Sequence, residues 1–280
     1  MSALVAETIA RELDRLGATV GRPLVVSPLT ASTNDDARAA AEAGAPHGAA
    51  FLADAQTRGR GRGGHTWYSP PGENLYLSVV LRPRLPAASV APITLAVGVA
   101  VARVLEAILA GRAPVRVKWP NDVLAGPPLI EGAEGPAAPK ADRPRKLAGV
   151  LVEGQLRGGQ VQGLVAGVGV NVHASSFPEE IAARATSLAL LGGEGLDRSR
   201  LAAQLLGAIG AAVARFEEDR LASFAADLER LDGLRGARVE VAGVRGIAGG
   251  IDGEGRLLVL EGAGAATAVV SGEVTLLGDL

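Results

Sequence analysis

Three short runs hold most of the side chains that could do chemistry. The first is Gly59-Arg60-Gly61-Arg62-Gly63-Gly64. Its glycines let backbone N–H groups approach an anion closely and converge on it. Its arginines add planar, permanently charged forks that match phosphate or carboxylate oxygens. The second run is Lys118-Trp119-Pro120-Asn121-Asp122, where a cation, an amide and a carboxylate follow one another closely. The third is Lys146, set in Arg145-Lys146-Leu147-Ala148-Gly149. Together these are the groups needed to bring two anions together and to offset the charge that builds up between them.

The glycine–arginine run also satisfies G-x-G-x-x-G. A dinucleotide fold requires a helix to open directly after the glycines, with its N-terminus facing the pyrophosphate. His65-Thr66-Trp67-Tyr68-Ser69-Pro70-Pro71 follows instead, and two prolines cannot open that helix. There is no G-K-[ST], which excludes a P-loop. A flexible surface turn and an anion-binding loop remain as readings. Trp67 offers a flat face to a base or ring, or fills core volume.

The elements that must position these runs follow from periodicity. Ile9, Leu13 and Leu16 share one face of a helix over Glu7–Leu16, and Gly17 is placed to cap it. Thr30–Asn34 supplies N-cap residues for an alanine-rich helix that starts near Thr33 or Asn34. Strands are predicted at Ala49–Ala53, Leu75–Leu81 and Val115–Val117, and a long apolar helix at Val90–Leu109. Ala125–Pro144 is rich in Gly, Pro and Ala without a period and reads as a mobile surface insertion. Lys146–Glu153 and Val161–Val172 read as paired strands joined by a turn at Arg157–Gly159, and a helix at Ser199–Glu218 follows. Lys146 thus starts a strand, a firmer mount than a loop. Beyond Leu231, short strands alternate with glycine turns and predict a small β-barrel. The fold class is α+β, a mixed sheet packed with helices. The divisions are a domain at 1–228, with the insertion at 125–145, and a small domain at 231–280.

Composition excludes several classes. The chain has 280 residues, 28 Lys and Arg against 30 Asp and Glu, and no cysteine. No disulfide framework or thiolate zinc site is possible. His47, His65 and His173 lie too far apart for metal-ligand spacing. A net charge of −2 argues against a general nucleic-acid binder. The apolar runs read as too short and too broken to span a membrane, and the N-terminus does not read as a signal peptide. The expectation is a soluble cytoplasmic protein with no nucleic-acid or membrane partner.

The order of the motifs is more telling than any one of them. Ser32-Thr33-Asn34, Gln56 with Gly59–Gly64 and Trp67, Lys118–Asp122, Lys146–Gly149 and Gly167-Val168-Gly169-Val170-Asn171 stand in series. The series closely resembles the biotin–protein ligases over about residues 25 to 216, and the β tail fits as well. The resemblance implies a catalytic domain like that of class II aminoacyl-tRNA synthetases, followed by a Src-homology-3-like barrel. It implies two steps. Biotin and ATP, with Mg²⁺, give biotinyl-5′-adenylate and pyrophosphate. A lysine of a biotin carboxyl carrier protein, such as that of acetyl-CoA carboxylase, then takes the biotin and releases AMP.

The resemblance also implies roles. Ser32, Thr33 and Gln56 would bond the ureido group, since an unpaired buried amide costs on the order of 2 kcal/mol. Asn34 would bond the ligand or only cap its helix. Gly59, Arg60, Gly61, Arg62, Gly149 and Gly167 would complete the biotin site. Lys146 and Arg62 would be catalytic, and with Arg60 they would offset repulsion between carboxylate and phosphate. Trp67, Lys118, Asn121, Asp122 and Asn171 would hold ATP and the adenylate, Trp67 by stacking and Asn171 at the adenine edge. Asp122 would face the Mg²⁺. The chain departs from many relatives by lacking an N-terminal DNA-binding domain, so repression is not implied. Gly63 and His65 stand where relatives are often basic. Strands near Val161–Val172 and in the barrel are expected to leave edges for a homodimer.

Overall fold

The structure is a computed structural model that describes residues 3–126, 143–157 and 160–277. Seven strands form the main sheet. They are β1 (Leu24–Ser27), β2 (Ala50–Ala53), β3 (Leu75–Leu81), β4 (Val115–Lys118), β5 (Asp122–Ala125), β6 (Arg145–Arg157) and β7 (Gln160–Val170). Their spatial order is β1-β2-β3-β7-β6-β5-β4. Only β1 and β2 run parallel; every other pairing is antiparallel.

β3 shows how the sequence divides the two faces. Leu75, Leu77, Val79 and Leu81 enter the main core, while Val80 enters a smaller one beneath helix α2 (Thr33–Glu42) with Ala37, Ala41, Ala49 and Val165. The main core is closed by α1 (Ala6–Leu16), α3 (Ile93–Leu109) and α5 (Arg198–Asp219). Every β3 residue is therefore buried, where an exposed face would have left alternate residues in solvent. Gly17 does end α1, in the left-handed region at φ 62°.

The α2 face of β6 and β7 is glycine-rich. Register pairs Gly149 with Gly169 and Leu151 with Gly167. With no Cβ there, the sheet has a trough beside the N-terminus of α2, and the candidate site lies in it.

Two expectations are corrected. Ala87–Leu109 is long and apolar enough to cross a membrane, contrary to the reading that no run was. The α3 part of it is a core helix with eleven buried residues, packed on β4, β6 and α5. The strand near Val161–Val172 is no edge: β7 lies between β3 and β6, and the edges of the main sheet are β1 and β4. Most of the insertion, residues 127–142, and two residues of the turn after Arg157 lie outside the described residues. Unforeseen are the four-residue strands β1 and β5, and the short helices α4 (Glu179–Ala182) and α6 (Ala225–Leu231).

The tail forms a separate five-stranded antiparallel sheet. Its strands are β8 (Arg238–Val241), β9 (Val244–Ile251), β10 (Leu257–Leu260), β11 (Ala266–Val269) and β12 (Thr275–Leu276), in the order β11-β10-β9-β8-β12. Buried Trp119 rivets it to the main domain by donating from Nε1 to the Gly255 carbonyl at 2.9 Å.

Candidate active site

The trough is walled on one side by amides and hydroxyls. Ser32 occupies the N-cap of α2 without a side-chain capping bond, so its hydroxyl is not spent on the helix. Gln56 Oε1 accepts from the Thr33 N–H at 2.9 Å, and Gln56 Nε2 meets Ser69 Oγ at 3.0 Å. Asn34 is not the cap. Its Nδ2 donates to Glu153 Oε2 at 2.8 Å, and its Oδ1 accepts from Ser78 Oγ at 2.6 Å. Gly167 makes room for that amide, since a Cβ there would run into Asn34.

The opposite wall is charged. Lys146 is fixed by its backbone, whose N–H donates to the Arg184 carbonyl at 2.7 Å. Its Nζ lies 2.7 Å from Asp122 Oδ1 and 5.1 Å from the centre of the Trp67 ring. Trp67 lies over Gly149 and Gly169; a Cβ on Gly149 would come within 2.9 Å of it. The Trp67 Nε1 is buried and donates to nothing in the described residues. Lys118 stands behind. Burial pushes its amine below the ordinary lysine range, opposed by Asp122 and reinforced by Lys146.

The loop bridges the two walls. The Arg60 guanidinium reaches Asp35 at 2.9 Å and Glu153 at 2.8 Å, pinning the loop to α2 and β6. Arg62 donates instead to the Gly272 carbonyl of the tail at 2.7 Å. Arg62–Gly64 forms a single 3₁₀ turn.

Most of the expected residues converge. Ser32, Thr33, Asn34, Gln56, Arg60, Gly61, Arg62, Trp67, Asn121, Lys146, Gly149 and Gly167 all line the trough. Gly59 does not; it packs against Ser69 and the Trp67 carbonyl at the loop base, where a Cβ would not fit. Lys118 and Asp122 sit outside it, with Asp122 reaching in through Lys146. Asn171 also lies outside and is 5% exposed. Its Nδ2 donates to the carbonyls of Thr186 at 2.9 Å and Lys146 at 3.3 Å. That amide is bound to backbone rather than turned to an adenine edge. Sequence reasoning missed Tyr76, Leu77, Leu151 and Gly169 among the lining residues, and Asp35, Ser78 and Glu153 behind them. Gly169 was visible in its motif; Glu153 carried no signal, because its partner Asn34 is 119 residues away.

A mixed sheet thus carries a polar trough, a strand-mounted lysine and a glycine–arginine loop in one place. The model of the biotin/lipoate A/B protein ligase family matches residues 26–171, and the chain belongs to that family. The chain is 35% identical over 268 residues to the biotin–[acetyl-CoA-carboxylase] ligase of Mycobacterium tuberculosis, covering 92% of this chain and 91% of that one. It is 34% identical over 233 residues to the bifunctional ligase/repressor BirA of Escherichia coli, covering 82% of this chain and 66% of that one. Against the BirA of Bacillus spizizenii it spans 52% of the relative's length. The biotin protein ligase of Aquifex aeolicus in complex with biotin and ATP superposes with a TM-score of 0.73, at 30% identity, over 91% of this chain and 98% of that one.

Proposed function

We propose that the chain activates biotin with ATP as biotinyl-5′-adenylate and transfers it to a lysine of a biotin carboxyl carrier protein. The observation that carries this reading is the joining of two unlike walls at Lys146. One wall would pair a urea-like polar group; the other would present Lys146 to phosphates, beside Asn121, whose amide donates to the Val150 carbonyl at 3.0 Å, and with half-buried Lys118 behind it. Thr33, Gln56 and Ser32 offer acceptors and donors side by side, which a cyclic urea uses and a plain hydrocarbon ring leaves unpaired at a cost. Lys146 would meet the carboxylate and α-phosphate together and lower the charge repulsion between them. Trp67 would stack on the adenine and offer its unused Nε1 donor. Asn171 would act through Lys146, whose carbonyl it holds.

ATP would bring Mg²⁺. Among the described residues no cluster of three acidic or histidine side chains exists to hold a metal alone. Asp122 fits a site completed by phosphate oxygens and water, where the ion would neutralise phosphate charge. The tail sheet would be the Src-homology-3-like barrel of this architecture, with the boundary at residues 228–231. The carrier would be met in the cytoplasm, and dimerisation would use edge strand β1 or β4.

Biotin and α-labelled ATP incubated with the protein should release pyrophosphate and yield an adenylate. Folded protein that forms none would overturn the reading. Thermal stabilisation by lipoate but not biotin would move the substrate to the other branch of the family.

A further inference from the structure

Behind the trough, a single file of hydrogen bonds runs from Glu153 to the pocket wall. Glu153 Oε2 accepts from both Asn34 Nδ2 and Arg60, each at 2.8 Å. Asn34 Oδ1 meets Ser78 Oγ at 2.6 Å, and Ser78 Oγ meets Thr33 Oγ1 at 2.8 Å. Ser78 is fully buried and does not line the trough.

The proton inventory gives this file a direction. An ionised carboxylate accepts only, so Asn34 must turn its NH₂ to Glu153 and its carbonyl to Ser78. That carbonyl carries no hydrogen, so the Ser78 hydroxyl proton goes to it. Ser78 then has no proton left for Thr33, and the 2.8 Å contact requires the Thr33 hydroxyl to donate. The competing acceptor, Gln56 Oε1, is farther at 3.2 Å and already takes the Thr33 N–H. Thr33 therefore shows the pocket a lone pair, not a proton.

We propose that Glu153 and Ser78 are positioning residues that set Thr33 Oγ1 as an obligate acceptor, selecting a ligand with an N–H donor at that point. The proposal rests on the biotin reading and goes beyond it. It assigns the choice between donor and acceptor atoms to two residues outside the pocket. A ring oxygen in place of that N–H faces a fixed lone pair and is rejected. Once Ser78 is lost, the Thr33 hydroxyl is free to turn and donate, and the rejection weakens.

The test uses biotin and its two cyclic-carbamate analogues, each with one ureido N–H replaced by oxygen. Adenylate formation is measured for the wild-type chain and for Ser78→Ala. The expected result is that one analogue, the one that places oxygen against Thr33, gains on biotin by about tenfold in relative kcat/KM in the variant. The other analogue keeps its wild-type ratio. A merely structural loss would lower all three substrates together and leave both ratios unchanged, which would overturn the proposal. Should Ser78→Ala fail to fold, the isosteric Glu153→Gln carries the same expected shift, since an amide no longer dictates the Asn34 orientation. Absence of any adenylate from biotin in the wild type would instead overturn the biotin reading itself.

Discussion

Replacing Gly167 by alanine tests the trough at its most crowded point. The new Cβ would overlap the Asn34 amide, which must then swing away. Two bonds are lost with it: the one from Ser78, between neutral groups, and the one to Glu153, which is charge-assisted. At about 1 kcal/mol for the first and about 2 for the second, the loss is about 3 kcal/mol. A glycine removed from a strand returns less than about 1 kcal/mol through the unfolded chain, so the net cost is about 2 kcal/mol. Asn34→Ala removes the same two bonds by another route. The double variant can lose them only once, so the two changes should fall short of additivity by about 2 kcal/mol or more, where independent sites add within about 0.5. Urea denaturation of the four proteins gives the cycle, with denaturant slopes checked for constancy. Strict additivity would show that Gly167 and Asn34 do not meet, and the reading of the trough would fail with it.

Lys146→Ala should lower adenylate formation by about 10³-fold, because a cation at the reacting oxygens acts mainly in the transition state; single-turnover kinetics with unchanged circular dichroism would check it. Burial holds Lys118 below its ordinary value of 10.5, and bound polyphosphate favours its charged form. ATP binding therefore takes up a proton, so the KM for ATP should rise as pH is raised toward 10.5, beginning earlier than for an ordinary lysine. Lys118→Arg, which keeps its charge, should flatten that profile, and an unchanged profile would show that Lys118 does not meet the phosphates. Buried Arg198 donates to Asp54 at 2.7 Å and to the Asn74 carbonyl at 2.9 Å. Arg198→Met should cost about 3 kcal/mol in chemical denaturation by stranding Asp54, and adding Asp54→Leu should recover part of it.

Where a single element decides its own form, the sequence was legible. Gly17 sits at a helix end with the left-handed φ it was expected to adopt, and Leu75–Leu81 is a strand with the bounds its composition implies. Lys146 is strand-mounted, as its place before an apolar run indicated. Asp122–Ala125 holds too few alternations to read alone, whereas the equally short Ala50–Ala53 was legible as an unbroken apolar run. The pinning of Arg60 was illegible for another reason. A cation in a glycine loop looks ready for a ligand, and only the fold reveals Asp35 and Glu153 beside it. The meaning of the glycines likewise depends on register: Gly149 and Gly169 make a floor for Trp67 because β6 and β7 pair them directly.

The apolar helix that ends at Leu109 has a consequence for the order in which the chain is made. One of its covers, α5, does not begin until Arg198, after the last strand of the main sheet has already left the ribosome. For that whole interval this apolar helix lacks its α5 cover, and β3, complete at Leu81, waits until Gln160 for β7 to begin. Chains that stop before Arg198 have β4 and β6 to pack on the helix but leave its α5 face uncovered, and these are the fragments expected in the insoluble fraction. Chains that extend through Asp219 carry the helix that shields it.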